Sequence, residues 1–334
     1  MDKIKINIIG LGGIGQITHL PLLTRMDDVE VTAVCDIDKS KAKNVAKKFN
    51  VKSYYYDIDK MLEESPADAL IIASPTYLHR DHALKALEKD MNILVEKPLA
   101  RNYKEGAEIY EAAKKYKRKL MVGMNSLFRP DLMMLQSFAS AGSLGDIYYI
   151  KTGFIKKRST LEDWALDLKL AGGGVFMDLG VVILEIALQL MKYPKIKSVS
   201  AVNQNIQFKT VEDCSYVFIK FVNGSCINLE CSWSLLREYD VFYCNVFGKE
   251  GSASINPLRI YKMMHGSLVN VTPLKMENPS NIYKRSYEYE LRHFINSIQN
   301  NKDLLSSGNE ALERLKITDA VYKSAKTGKE VIFK

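Results

Sequence analysis

Three short stretches combine residue types and spacings that could do chemistry. In NILVEKPLA (92–100) an apolar strand, Ile93-Leu94-Val95, ends abruptly in Glu96-Lys97-Pro98. A buried strand needs no charge at its end for stability, and proline brings no N–H to a sheet ladder. The triplet is therefore either an ordinary solvated strand end or a lysine set at the rim of a sheet. A lysine desolvated at such a rim has its pKa lowered and serves as a general acid or base. In IIGLGGIGQITH (8–19) the spacing Gly10-x-Gly12-x-x-Gly15, with Gly13 and Ile14 completing the turn, lies between a strand and a helix. That context lets backbone approach a pyrophosphate, which a helix N-terminus stabilises. About twenty residues after Gly15, the strand VEVTAVC ends in Asp36, where an acid hydrogen-bonds an adenosine ribose and repels the extra phosphate of NADP. Asp36 favours NAD, and the nearby Lys39 and Lys41 leave NADP open. In ALIIASPTYLH (69–79) an apolar strand ends in Ser74-Pro75-Thr76, with His79 one helical turn beyond. Strand carboxyl ends are where open α/β sheets bind ligands, although a histidine in a first helical turn is as often capped or solvated.

The elements that must position these residues follow from periodicity. Strand-like segments at 4–9, 29–35, 69–73, 92–95 and 119–123 alternate with amphipathic helical ones, the pattern of a parallel sheet covered on both faces. Pro21 interrupts the first helix, and Asp57 and Thr76 stand at helix starts. Residues 1–123 are thus expected to form a doubly wound Rossmann domain, with Lys97 projecting from its ligand-binding edge. After residue 124 the character changes. A strand-like GDIYYIKTGFIKK precedes a helical run from Gly174 to Met191. β-rich stretches then follow at 196–209, 214–222, 225–235, 241–247, 252–256 and 268–274. Alternation of Ile227, Leu229, Cys231, Trp233 and Leu235 indicates a sheet with two unlike faces. Residues 124–334 are expected to form an α+β substrate and oligomerisation domain with a large, mostly antiparallel open sheet. Two amphipathic helices close the chain, the second capped near Gly328 and free to pack back on the first domain.

Composition bounds the class. At 334 residues the length favours two domains, and 47% hydrophobic with 26% charged residues excludes disorder. The net charge of +8 is spread along helix faces such as DKSKAKNVAKKF, and no nucleic-acid motif accompanies it. No charged leader precedes an apolar segment, and no apolar run approaches the roughly 18 residues of a membrane span. Five cysteines without a C-x-x-C pair are expected to be reduced and packed. With no His/Cys/Asp cluster at ligand spacing, no metal is expected. A cytoplasmic protein acting on a small molecule follows.

Taken together, GLGGIG, Asp36, SPTYLH, VEKPLA, VGMNSLFRP, LAGGGVFMDLG and AVYKSAKTGKEV resemble the glucose–fructose oxidoreductase / inositol dehydrogenase (Gfo/Idh/MocA) family over nearly the whole chain. The combination of E-K-P with G-G-G-x-x-x-D-x-G is rather specific. The resemblance implies an NAD(P)-dependent oxidoreductase with Lys97 beside the nicotinamide and a Lys97–Pro98 bond in cis. It also implies cofactor contacts from Glu96 and Asn125, and an open sheet that mediates homodimers or homotetramers. On the substrate side it implies Asp178 as a catalytic partner, Trp164 at the pocket, and a pocket approached by the basic run ending in Arg158, although such a charge run is more often a solvated loop. Three positions depart from the family pattern. Val182 stands where a histidine usually handles the hydroxyl proton, Leu127 replaces an arginine, and Ala165 follows Trp164 where an arginine is common.

The resulting expectation is hydride transfer between nicotinamide and a secondary alcohol or carbonyl of a sugar, polyol or related molecule. Lys97 moves the proton and Asp178 orients it or the substrate. The alternative is a nicotinamide-binding sensor of the same fold that has lost its chemistry.

Overall fold

The computed structural model describes residues 3–156, 163–273 and 282–333. It divides into two compact units, 1–125 with 284–315, and 126–283 with 316–334.

In the first unit six strands form one sheet in the order β3-β2-β1-β4-β5-β6. They are β1 (Ile4–Ile9), β2 (Val29–Cys35), β3 (Ser53–Tyr55), β4 (Ala69–Ile72), β5 (Asn92–Glu96) and β6 (Leu120–Gly123). Every neighbouring pair is parallel. Helices on both faces bury the central strands, and all four residues of β4 are buried, which is why these strands read as continuous apolar runs. Strand order reverses between β1 and β4, the switch point where such sheets bind ligands. β3 was not foreseen: three residues on a sheet edge are too few to show a period. Pro21 falls at the junction between a π-helical turn, Ile14–His19, and a short α-helix, Leu20–Leu23. Asp57 caps the helix Ile58–Glu64 by accepting from the Lys60 N–H, and Thr76 opens the helix Thr76–Glu88. The helix Ile282–Gln299 belongs to this unit from Lys284 onward.

The second unit is built on nine strands in the order β14-β13-β12-β11-β7-β10-β9-β8-β15. These are β7 (Ile147–Ile155), β8 (Ile196–Gln204), β9 (Cys214–Phe221), β10 (Cys226–Ser232), β11 (Val241–Gly248), β12 (Gly251–Ile255), β13 (Arg259–Met264), β14 (Ser267–Asn270) and β15 (Val331–Ile332). The β7–β10 pair is parallel, and the others described are antiparallel. β13 escaped sequence reading because Arg259 and Lys262 break its alternation. The helix Val181–Leu190 packs against β7 and β10.

The segment Leu168–Leu190 is long and apolar enough to cross a membrane, contrary to the sequence expectation, but 78% of its apolar window is buried inside the fold. Protein, not lipid, covers it. Lys157 and Arg158 lie outside the described residues.

Candidate active site

Sheet register brings the three stretches to one level. Ile9 pairs with both Cys35 and Ile72, Ile72 with Val95, and Val95 with Val122. The residues that follow this rung are therefore Asp36, Gly10, Ala73, Glu96 and Gly123, all at the carboxyl edge.

Two glycines of the first loop are dictated by this crowding. Gly10 has φ +89°, and a Cβ there would lie 2.4 Å from the Ala73 carbonyl carbon; one on Gly15 would lie 2.2 Å from the Gly10 oxygen. Gly12 and Gly13 are different, since a Cβ on either meets no protein atom within 4 Å. They keep open the space before the helix, where a pyrophosphate is held. Asp36 sits beside this loop. Its carboxylate accepts from the Leu11 N–H (2.8 Å) and the Asp38 N–H (3.0 Å), and Lys41 Nζ pairs with it at 3.3 Å. The residues present therefore fit a dinucleotide.

Ser74 and His79 tie two loops together. His79 is 1% exposed, with Nδ1 2.9 Å from the Pro98 carbonyl and Nε2 2.8 Å from the Ser74 carbonyl. Burial lowers its pKa, against the opposing pull of both carbonyls and Glu96. A neutral imidazole has one N–H and donates to one carbonyl at a time. His79 thus braces the Lys97–Pro98 turn against the end of β4. His82, which the sequence analysis passed over, stands one turn beyond His79. Burial holds its imidazole at about 4, so it is neutral near pH 7 and its Nδ1 lies 3.0 Å from Ser74 Oγ.

Lys97 is partly exposed, and its peptide bond to Pro98 is cis. Its backbone N–H donates to Glu96 Oε2 at 3.3 Å, while Glu96 Oε1 accepts from His19 Nε2 at 2.8 Å. His19, which sequence alone leaves structural, is thus part of the support for this turn. Gly123 leaves room for it, since a Cβ there would meet Glu96 Oε2 at 3.1 Å. The Asn125 amide donates to Ser286 Oγ at 2.9 Å.

In the second unit Asp178 lies in a π-helical turn, Phe176–Gly180, that leads into the helix Val181–Leu190. Asp178 and Val182, one turn apart, are partly exposed among buried neighbours. Trp233 donates its indole N–H to Asp178 Oδ2 at 3.1 Å. The triple glycine before this turn is explained by what it admits. A Cβ on Gly173 would fall 1.9 Å from the Tyr322 hydroxyl, and one on Gly174 2.0 Å from the Glu212 carbonyl. The Glu212 carboxylate accepts from the Gly174 N–H (2.9 Å), the Phe176 N–H (3.1 Å) and the Tyr322 hydroxyl (2.7 Å). Burial raises its pKa even though these donors favour the charged form. Trp164 lies partly exposed in the 3-10 turn Asp163–Leu166, and Leu127 is fully buried.

Comparison with known families fits this architecture. An oxidoreductase-family profile for the NAD-binding Rossmann fold matches residues 4–124, and the family's C-terminal alpha/beta domain profile matches 140–333. The chain belongs to the Gfo/Idh/MocA oxidoreductase family. It is an oxidoreductase with a nicotinamide-cofactor domain. Among relatives of this family member, the D-glucoside 3-dehydrogenase of Escherichia coli is 29% identical, covering 99% of this chain and 97% of that protein. The glucose-6-phosphate 3-dehydrogenase of Bacillus subtilis is also 29% identical, covering 89% of each chain. A levoglucosan dehydrogenase solved with NADH and levoglucosan superposes with a TM-score of 0.88 at 20% identity, over 99% of both chains, which shows the shared fold.

The roles of Glu212 and Trp233 were not visible in sequence because each acts through a partner 38 and 55 residues away, whereas His82 meets Ser74 only eight residues away and shows no distinctive pattern. The nearest signal was the unusual glycine triplet, which marks a close approach without naming the group that approaches.

Proposed function

We propose that this Gfo/Idh/MocA oxidoreductase interconverts a secondary alcohol and a carbonyl on a sugar, polyol or related small molecule, with NAD as the preferred cofactor. The observation that carries the proposal is the placement of Lys97. It stands on a braced turn at the carboxyl edge of the parallel sheet, one residue past Glu96, which is level with Gly10 and Asp36. Sugar and polyol substrates are supported by the relatives, which are named for glucoside, glucose 6-phosphate and inositol oxidation.

When bound, the nicotinamide supplies the hydride acceptor or donor. The chain's own residues do the rest. Gly12 and Gly13 admit the pyrophosphate, and Asp36 takes the ribose hydroxyl. Glu96 and Asn125 are assigned to the cofactor side with Ser74, Pro75 and Thr76, and His79 holds their loops in place. Lys97 Nζ moves the hydroxyl proton. Asp178, fixed by the Trp233 indole, orients the substrate hydroxyl, with Trp164 beside the substrate. An open sheet face with exposed Phe218, Met263 and Leu268 supports a homodimer or homotetramer through this face, which light scattering would test.

The test of function is NADH formation with NAD and a panel of sugars, polyols and sugar phosphates. Silence across the panel with tight NAD binding would favour a second reading, a nicotinamide-binding sensor. Val182 favours that reading, because it neither donates nor accepts a proton at the partly exposed position one turn from Asp178.

Cofactor preference has its own test. Asp36→Asn keeps an acceptor for the Leu11 N–H, removes the charge that repels a ribose phosphate, and frees Lys41. Losing a charged hydrogen bond costs about 1.5–3 kcal/mol, or roughly 10–100-fold. The ratio of kcat/KM for NAD over NADP should fall by that factor. An unchanged ratio would remove Asp36 from the discrimination.

A further inference from the structure

Beneath the E-K-P turn lies a buried cluster that the proposed mechanism leaves unused. Glu290, on the helix Ile282–Gln299, is 0% exposed, and neither of its carboxyl oxygens has a hydrogen-bond partner among the described residues. The Met124 backbone N–H favours the charged form, against burial and the neighbouring charge of Glu96. Glu96 is itself held by His19, whose ring packs edge-on against Tyr287 at 5.9 Å. Tyr287 is three residues before Glu290, on the same face of the helix. Among the described residues, the titratable groups around Glu290 include Glu96 from β5, His19 beside Glu96, and Tyr287 and His293 one turn either side on its own helix.

An ionised carboxylate in this position would be dry, unpartnered and next to a second carboxylate. Each of these conditions disfavours the charge. A protonated carboxyl carries no charge for these conditions to penalise and leaves Glu96 free to accept from His19 and from the Lys97 backbone N–H.

We infer that Glu290 is a positioning residue of the catalytic turn, a carboxyl group kept protonated against Glu96 so that Glu96 alone carries the charge that holds Lys97 in place. The inference rests on the assignment of Lys97 to proton transfer. Both desolvation and the Glu96 charge raise the pKa of Glu290 well above its ordinary 4.5. The folded state therefore holds this proton more tightly than the unfolded one. The stability it contributes is complete below about 4.5 and is lost as pH rises toward the folded value.

Three measurements on the full-length enzyme test this. Infrared spectra at pH 7 should contain a protonated-carboxyl C=O band that disappears in Glu290→Gln; absence of that band in wild type overturns the inference. Glu290→Gln, which mimics the neutral acid, should unfold at a temperature equal to or above wild type. The gap should widen as pH rises above the ordinary carboxyl range, and a variant less stable than wild type at every pH overturns the inference. In turnover, Glu290→Gln should keep kcat within about threefold. Glu290→Ala should lose at least tenfold in kcat with KM for NAD unchanged. A purely structural role would lower the unfolding temperature of Glu290→Ala and leave kcat alone, and that result overturns the positioning role. If Glu290→Ala fails to fold, Glu290→Gln and the wild-type band decide. Turnover surviving Lys97→Ala would remove the lysine's role while leaving the band in place, so the two failures are distinguishable.

Discussion

Lys97→Ala should lower kcat by about 10²–10⁴-fold, the usual contribution of a positioned acid or base, while NAD binding changes little. The asymmetry follows from the way the turn is built. The contacts that hold it are to backbone and to neighbours. Glu96 Oε2 accepts from the Lys97 N–H, and His79 lies against the Pro98 carbonyl. Removing the side chain beyond Cβ leaves these contacts intact, so the loss falls on the chemical step. Val182 sharpens the prediction, since at the position where the family resemblance leads one to expect a proton-handling histidine this chain has a side chain that cannot transfer a proton. Steady-state kinetics with an active substrate and titration of NAD by fluorescence check the two halves separately. Turnover within threefold of wild type would exclude Lys97 as the main proton-transfer group.

The second large effect is expected in the second unit. Glu212→Ala should cost about 3–5 kcal/mol of stability, because it strands the buried Gly174 N–H, Phe176 N–H and Tyr322 hydroxyl, each losing about 1–3 kcal/mol. These donors hold the turn that carries Asp178, so activity should fall as well. Glu212→Gln keeps one carbonyl oxygen for them and should cost roughly half as much. Its comparison with alanine separates the hydrogen bonds from the volume. Denaturant unfolding of both variants checks this; equal losses would mean that packing, not acceptance of these donors, is what Glu212 provides.

A pH effect accompanies the same residue. Burial raises the Glu212 pKa above its ordinary 4.5, so its folded form holds the proton more tightly than its unfolded form. Stability from this group is greatest in acid and declines as pH rises through the carboxyl range. Glu212→Gln should remove that part of the decline.

Much of the cofactor half was legible from sequence because its signals are local. A central parallel strand is buried on both faces, so β1, β4 and β5 appear as apolar runs ending where the chemistry begins. Gly10 must be glycine for a positive φ and a close approach, and that requirement is visible in the spacing of the loop. The family motif named Lys97 and Asp178 for the same reason: each lies in a short contiguous pattern.

Other features were legible only in outline. The glycine triplet at 172–174 stood out only as part of a family motif, and the groups that approach it, Glu212 and Tyr322, lie 38 and about 150 residues away. Glu290 looked like one more acid on an amphipathic helix until its burial and its neighbour Glu96 were known. His19 looked like a helix residue before a proline, and the structure pairs it with Glu96. The apolar run at 168–190 could not declare from composition whether lipid or protein would cover it.

By itself, then, the sequence determined the parallel sheet, its glycine loop, Asp36 and the lysine at the strand end, because strand period, turn stereochemistry and proline's missing donor act over a few residues. Only the tertiary structure decided which carboxyl groups are buried, which of them hold a donor and which do not. Desolvation and hydrogen bonding depend on atoms brought together from distant parts of the chain, and no local spacing encodes them.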